Sequence, residues 1–251
     1  MHKLATIATA FVFLVGSAVA SFAEEFSTAQ KTEIETLVRD YLLQHPEILR
    51  EMASKLDAND KAAADKARDS VLASQAKAIF HSPMDAVVGN PKGDVTIVEF
   101  MDYNCGWCRK SVKEMQSLIA SDKNVRVVMK EFPIFGEGSE YAARAALASV
   151  KQDKYWQLHQ ALFAFEGKVT AEVVDQVAAE QGIDVAKMKL DMKSPEIDAT
   201  VKGNQAMAQT LALTGTPAFI VDTKLIPGYT ELANLQALLA ATRANGGCKV
   251  C

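Results

Sequence analysis

Residues 27–80 carry apolar positions at helical spacing on an otherwise polar background. Ser27 and Gln30 form a capping box, which predicts a helix start. An apolar stripe follows, and His45-Pro46 ends or bends that helix before a second one begins. A helix this thin has too little core to stand alone, so it packs on its own domain or pairs with copies of itself. The stripe consists of Ile34, Leu37, Val38, Tyr41 and Leu42.

Beyond residue 89 the pattern changes to short apolar runs separated by turns and helices. A turn cluster over 89–94 precedes a β-rich run over 95–101, and a second such run covers 125–132. Helical spacing over 106–120 lies between the two runs. Strand, helix and strand at this spacing predict a βαβ unit.

The C-terminal half predicts a helical block followed by a ββα unit. Residues 139–211 contain no convincing strand and divide into four or five helices, with breaks near Gly167, Gly182 and Ser194-Pro195. Three shorter elements follow, namely two strands at 218–221 and 224–226 and a helix at 231–244. The chain is therefore predicted to be an α/β protein in which a helical block separates the two halves of the sheet.

The N-terminus has the pattern of a secretory signal peptide. Lys3 precedes a mainly apolar stretch, and small residues offer cleavage after Ala20 or Ala23. The alternative is an uncleaved membrane anchor, for which the stretch has about the minimum spanning length. We expect residues 1–23 to be removed and the mature protein to be exported to the periplasm, an oxidising compartment in which disulfides form.

Composition narrows the classes of function. The chain has 251 residues, 49% of them hydrophobic, and its 27 basic against 31 acidic residues give a net charge of −4. These values are typical of a globular protein and argue against disorder and against a nucleic-acid partner. The sequence holds no phosphate- or dinucleotide-binding motif and no His/carboxylate spacing typical of a catalytic metal, so we expect no cofactor and no catalytic metal.

The pair Cys105 and Cys108 follows the first β-rich run and opens the next helix. Their spacing allows the sulfurs to close a small disulfide on the first helical turn. At the helix start Cys105 faces backbone N–H groups and the positive end of the helix dipole, which favour the nucleophilic thiolate. Cys108, one turn further, would resolve a mixed disulfide. The alternatives are a static disulfide and half of a zinc site.

The stretch GNPKGDVTIVEFMDYNCGWC resembles the active-site region of DsbA-like thiol:disulfide oxidoreductases, as do KEFPIFG at 130–136 and GTPAF at 215–219. The resemblance spans about residues 86–245 and implies a thioredoxin fold with an inserted helical domain. It also implies that Pro217 is cis and faces the cysteines, keeping metal away from them. The backbone of Thr216 would then bind an extended substrate strand, with Trp107 as a further substrate-binding position.

Glu99 lies within the apolar run that precedes the cysteines, on the same face as Ile97 and Met101 by strand alternation. A buried carboxylate is costly unless it is paired. The family resemblance implies a proton acceptor beneath the cysteine pair that serves Cys108. The alternative is a glutamate at the strand edge that reaches solvent.

Two features depart from DsbA itself. No histidine stands beside Cys105, and Thr216 replaces an aliphatic residue before the proline. Both features resemble the disulfide isomerases and the suppressor-of-copper-sensitivity C (ScsC) subgroup, some members of which carry an N-terminal trimerising helix similar to residues 37–47. The resemblance implies a less oxidising protein than DsbA that forms, reduces or isomerises disulfides in exported cysteine-containing proteins, with a membrane redox partner and a trimeric assembly. The rival interpretation is a copper-handling or chaperone module without turnover.

Cys248 and Cys251 end the chain after Gly246-Gly247, which suggests a flexible tail. They form a local disulfide, a soft-metal pair for Cu(I) or Zn, or a second shuttle dithiol. His159 is predicted to be a packing residue of a helix. The predicted organisation is a signal peptide (1–23), a helical segment (24–85), a DsbA-like domain (86–245) with an insertion at about 137–211, and a cysteine-containing tail (246–251).

Overall fold

The computed structural model describes residues 26–251, so the predicted signal peptide lies outside the described residues. Three helices come first, α1 (Thr28–Gln44), α2 (Glu47–Ser74) and α3 (Ala76–Phe80). The chain divides into two compact units, one ending at Asn59 and the other comprising Asp60–Cys251. Within the described range, no helix combines the length and apolar character needed to cross a membrane.

The first unit contains an uncovered apolar stripe. Ser27 and Gln30 form the predicted capping box at the start of α1. No residue of α1 is buried, and Leu37, Val38 and Tyr41 are 68%, 50% and 53% exposed. Large apolar side chains that are exposed to this extent indicate a surface that binds a partner.

The second unit is built on a five-stranded sheet with the order β1-β3-β2-β4-β5. The strands are β1 (Ala86–Gly89), β2 (Val95–Met101), β3 (Val125–Glu131), β4 (Ala218–Val221) and β5 (Lys224–Pro227). β2 and β3 run parallel and are joined by helix α4 (Gly106–Ser121), whereas the other neighbours are antiparallel. Every residue of β2 is buried, which accounts for its nearly continuous apolar sequence.

A run of helices separates β3 from β4 along the chain, although β2 and β4 pair directly in the sheet. These helices are α5 (Glu137–Ser149), a 3-10 turn (Val150–Gln152), α6 (Tyr155–Ala164), α7 (Ala171–Glu180), α8 (Val185–Asp191) and α9 (Pro195–Thr210), and α10 (Leu232–Ala244) follows the hairpin. Ser194 caps α9 by accepting from the backbone of Ile197, with Pro195 in the first turn. The predicted α/β fold, with βαβ and ββα halves and a helical insertion, is confirmed.

The strand β1 was not predicted. Its four residues, AVVG, directly precede the turn cluster and are too few to show an alternating pattern. The strand forms only through its antiparallel pairing with β3, in which Val87 lies opposite Val128. A long-range partner therefore decides the conformation of this segment.

The segment before residue 86 belongs in part to the second unit. The prediction placed the domain boundary at 85/86, whereas Leu72, Ile79 and Phe80 are completely buried in a core shared with Val98 and Phe100 of β2. Leu72 of α2 and Ile79 of α3 are sparse apolar anchors in an otherwise polar segment. Few anchors suffice because the sheet, rather than the helix itself, supplies the apolar surface.

The C-terminal tail is docked, which corrects the expectation of a flexible tail. Gly246 and Gly247 both adopt positive φ, at 91° and 89°, and turn the chain back after α10. The backbone N–H groups of Lys249 and Val250 then donate to Oδ1 of Asp222 at 2.8 and 3.0 Å. A disulfide joins Cys248 and Cys251 in the structure.

Candidate active site

Cys105 lies at the junction between β2 and α4. It is the N-cap residue of α4, and its sulfur accepts a hydrogen bond from the backbone N–H of Cys108 at 3.3 Å. Both cysteines are buried free thiols. The buried strand thus delivers one sulfur to the N-terminus of a helix, where unpaired N–H groups stabilise negative charge.

The two thiols have opposite acidity. The pKa of Cys105 is lowered to about 6, chiefly by its hydrogen bond with the Cys108 side chain and with help from backbone N–H groups, against the effect of burial. Burial raises the pKa of Cys108 well above its ordinary value, and the nearby Cys105 and Glu99 raise it further. Cys105 is therefore the thiolate near neutral pH, while Cys108 keeps its proton.

The loop before β4 faces this pair. The Thr216–Pro217 peptide bond is cis. The Cys105 thiol donates to the backbone oxygen of Thr216 at 3.1 Å, so the loop lies within hydrogen-bond distance of the Cys105 sulfur. The hydroxyl oxygen of Thr216 is buried and has no hydrogen-bond partner among residues 26–251.

Glu99 lies inside the sheet. It is 3% exposed on the central strand β2, so the alternative of a solvent-exposed strand-edge glutamate is wrong. The hydroxyl of Ser111, on α4, donates to Glu99 Oε1 at 2.9 Å. Burial raises the Glu99 pKa to about 7, and the charge on Cys105 raises it as well. A carboxyl group with this pKa can take up and release a proton near neutral pH.

Trp107 is the exposed member of the motif and forms part of an aromatic surface. It is 59% exposed, and its ring centroid lies 5.5 Å from that of Tyr229. Lys110 Nζ lies 4.4 Å from the Tyr229 ring centroid and 5.5 Å from that of Trp107. Sequence reasoning missed Tyr229 and Lys110, because only the fold brings the segment after β5 beside α4.

Asp102 organises the loop that carries Cys105, and sequence reasoning missed it too. It is 1% exposed and accepts four hydrogen bonds, from the backbones of Asn104, Ile134 and Phe135 and from the Ser139 hydroxyl, at 2.7 to 3.1 Å. The position of Asp102 directly after the predicted strand 95–101 was the sequence signal that could have indicated this role. These bonds join the active-site loop to the start of the helical insertion.

A second buried polar cluster surrounds Glu131, the last residue of β3. The hydroxyls of Tyr103 and Tyr155 donate to Glu131 Oε1 at 3.1 and 2.8 Å, and His159 Nδ1 is 3.2 Å from the Tyr103 hydroxyl. Burial raises the pKa of Glu131 and lowers that of His159 to about 3. His159 is therefore a neutral residue within the core, packed against Trp156 and Phe163.

The acidity of Cys105 gives a direct test of this geometry. In a Cys248→Ser/Cys251→Ser background, we expect the thiolate absorbance of the reduced protein to titrate with a midpoint near pH 6. Cys108→Ala removes the hydrogen bond that lowers the Cys105 pKa most, so the midpoint should move upward by about one unit or more. An unchanged midpoint in Cys108→Ala would contradict the stated cause.

Comparison with known proteins identifies the family. Residues 96–240 match the DSBA-like thioredoxin domain, and residues 30–63 match the N-terminal domain of copper resistance protein ScsC. A thioredoxin-like oxidoreductase from Silicibacter pomeroyi is 45% identical, covers 67% of this chain and 97% of its own, and superposes with a TM-score of 0.66. BcfH from Salmonella enterica Typhimurium is 30% identical, with 83% and 94% coverage and a TM-score of 0.71.

Curated proteins of related sequence also match part of the chain. The probable disulfide bond formation protein D of Bacillus anthracis is 27% identical over 159 residues, which is 58% of this chain and 73% of that protein. Several Na(+)/H(+) antiporters also match, and this chain spans only about a quarter of their length, 27% for the one from Herminiimonas arsenicoxydans. The matched domain, the five-stranded sheet and the Cys105/Cys108 geometry agree: the chain belongs to the DsbA-like thioredoxin-domain family.

Proposed function

We propose that this protein is an exported thiol:disulfide oxidoreductase acting through the Cys105–Cys108 couple on cysteine-containing exported proteins. The observation that carries the proposal is the acidity of Cys105, whose pKa of about 6 coexists with a raised pKa at Cys108. A nucleophile with a pKa just below ambient pH is both ionised and reactive. The predicted signal peptide (1–23) supports a periplasmic location, where a membrane redox partner would restore the active state.

The oxidative cycle starts from the Cys105–Cys108 disulfide. A substrate thiolate attacks Cys105 Sγ, the bond to Cys108 breaks, and Cys108 leaves as a thiolate that takes a proton. A second substrate thiolate then attacks the first substrate sulfur and releases Cys105 as a thiolate. The substrate is oxidised to a disulfide and the pair is reduced by two electrons, which yields the dithiol state seen in the structure.

Glu99 is the proposed source and acceptor of the Cys108 proton. Its carboxyl group has a pKa raised to about 7 and lies in the strand directly preceding the active-site loop. The Ser111 hydroxyl, on the same helix α4 as Cys108, donates to Glu99 and holds the carboxyl group against that helix. A proton held near neutral pH lets Glu99 protonate the Cys108 thiolate as it leaves, so that no buried anion remains.

The substrate strand is proposed to bind between the Thr216 loop and Trp107. In the structure the Cys105 thiol donates to the Thr216 carbonyl, a hydrogen-bond acceptor that an extended peptide would use instead. The exposed indole of Trp107 with Tyr229 offers an apolar surface beside the same sulfur. Backbone pairing with a small apolar contact suits unfolded clients of varied sequence.

Trimeric assembly and isomerase activity form the finer part of the proposal. The exposed apolar stripe on α1 needs a partner surface. The stripe lies within residues 30–63, which match the ScsC N-terminal domain. Several Cys105 sites facing a shared space would favour repeated attack on a misfolded client. The absence of a histidine beside Cys105 supports a less oxidising couple, which suits reshuffling.

Removing the first unit tests the assembly. We expect the mature chain to scatter light as a trimer at tens of micromolar, and a variant lacking residues 24–59 to be monomeric. The variant keeps α3 and the buried Leu72, so its core stays intact. It should retain dithiol oxidation and lose repair of scrambled disulfides. Leu37→Glu/Tyr41→Glu in the full chain should act in the same way, whereas a mature chain that is already monomeric would contradict the trimer.

A further inference from the structure

The C-terminal dithiol lies beside a carboxylate. Asp222, Cys248 and Cys251 place one carboxylate oxygen and two sulfurs within 4.8 Å of one another, and this is the one such group of three potential metal ligands within residues 26–251. All three residues are half-buried. Cys248 and Cys251 have Cα atoms 5.3 Å apart, on the short loop that two intervening residues allow. The cluster lies outside the active site already described.

The surrounding structure holds the cluster in place. Asp222 Oδ1 accepts the backbone N–H groups of Lys249 and Val250, while no residue in the described chain donates to Oδ2. Val250 and Cys251 pack against one apolar core cluster, and Cys248 packs against the other. Hydrogen bonds from the backbone that orient a carboxylate are the usual support of a metal ligand. The tail is thus held by backbone hydrogen bonds and apolar contacts in addition to the disulfide.

We propose that the reduced tail binds Zn(II) through Cys248, Cys251 and Asp222, and that disulfide formation releases the metal. Zn(II) accepts thiolate and carboxylate ligands together, whereas Cu(I) prefers soft sulfur alone. The set therefore favours Zn(II). Three protein ligands leave a fourth position for water or a small ligand. The proposal does not depend on the activity of Cys105 and Cys108.

The chemistry balances with a disulfide as oxidant. On binding, both thiols lose their protons and Zn(II) forms two Zn–S bonds and one Zn–O bond. When oxidised glutathione reacts, its S–S bond breaks and a Cys248–Cys251 bond forms. Two electrons pass from the tail to glutathione, which takes up two protons and leaves as two thiols, and Zn(II) is released unchanged. The reduction potential of the compartment would thereby decide whether the tail holds Zn(II) or a disulfide.

The experiment uses the mature chain with Cys105→Ser/Cys108→Ser, so that only the tail pair remains. After reduction and anaerobic removal of the reductant, Zn(II) is titrated in competition with a chromophoric chelator. We expect one Zn(II) per chain, no binding after oxidation by glutathione, and recovery on renewed reduction. Co(II) in place of Zn(II) should give a thiolate-to-metal charge-transfer band that the oxidised protein lacks.

Asp222→Asn supplies the matched control. Asparagine keeps an oxygen that can accept from Lys249 and Val250 but removes the anionic ligand, so Zn(II) affinity should fall at least about 10-fold. Adding Cys248→Ser/Cys251→Ser should abolish binding. The proposal is overturned if the reduced protein takes up no Zn(II), if the oxidised protein binds it equally well, or if Asp222→Asn leaves the affinity unchanged.

Discussion

Cys105→Ser will reduce thiol–disulfide turnover to the uncatalysed background, a loss of at least about 1,000-fold. A serine hydroxyl is not ionised near neutral pH and cannot form a mixed disulfide, whereas the Cys105 thiol has a pKa of about 6. Insulin reduction and oxidation of a dithiol peptide both measure the effect. The loss should be equal in the two directions, because both pass through the same sulfur.

Two further variants show whether the loss has this cause. Cys108→Ser keeps the nucleophile and should accumulate a mixed disulfide with substrate at Cys105, visible by mass spectrometry. Cys248→Ser/Cys251→Ser should keep its turnover, since the tail disulfide takes no part in the proposed cycle. If Cys105→Ser keeps residual turnover that disappears only when Cys248 and Cys251 are also replaced, the tail pair carries the chemistry and the proposed assignment to Cys105 and Cys108 is wrong.

Glu99→Gln will slow the resolution of mixed disulfides by about 100-fold at neutral pH. The amide cannot exchange a proton, so Cys108 must enter or leave as a buried anion. Stopped-flow decay of a mixed disulfide with a small thiol measures the step. Attack by Cys105 should change far less, because its ionisation depends first on Cys108. Glu99→Asp should restore part of the rate, whereas unchanged resolution in Glu99→Gln would leave Glu99 a structural residue.

The same carboxyl group predicts a pH dependence of stability. Burial raises its pKa from 4.5 in the unfolded reference to about 7 in the fold, so the folded state binds the proton more tightly. The stability that this proton confers is fully present below pH 4.5 and is lost as the pH rises through 7, a total of about 3 kcal/mol. Urea unfolding should show this decline in the wild type, and Glu99→Gln should make the total decline smaller by this amount, because the buried Glu131, whose pKa is also raised, contributes to both proteins. The exposed Glu166→Gln serves as the matched control.

The central elements of the fold could be predicted from the sequence because local pattern and final environment agree there. The run 95–101 is apolar because β2 is buried on both faces, and its predicted bounds equal those of the strand. The helix beginning at Gly106 and the hairpin after Pro217 are likewise specified by local signals. The position of the cysteine pair at a strand-to-helix junction follows from these elements alone.

Features that depend on distant residues could not be predicted. β1 exists through its pairing with β3, and Ile79 and Phe80 of α3 are buried in a core that includes Val98 and Phe100. Asp102 gains its role from the backbone of Ile134 and Phe135, more than thirty residues away. Tyr229 approaches Trp107 only after the hairpin and α4 have come together. A single sequence holds no local signal for such contacts.

The central claim, that Cys105 and Cys108 form a catalytic redox couple, is tested most directly by its equilibrium with glutathione. In the Cys248→Ser/Cys251→Ser background, we expect one two-electron transition, with a reduction potential between about −120 mV, as in DsbA, and about −270 mV, as in thioredoxin. Tryptophan fluorescence follows it, because Trp107 lies between the two cysteines. A potential below about −300 mV, as in structural disulfides, or no transition at all, would contradict the account.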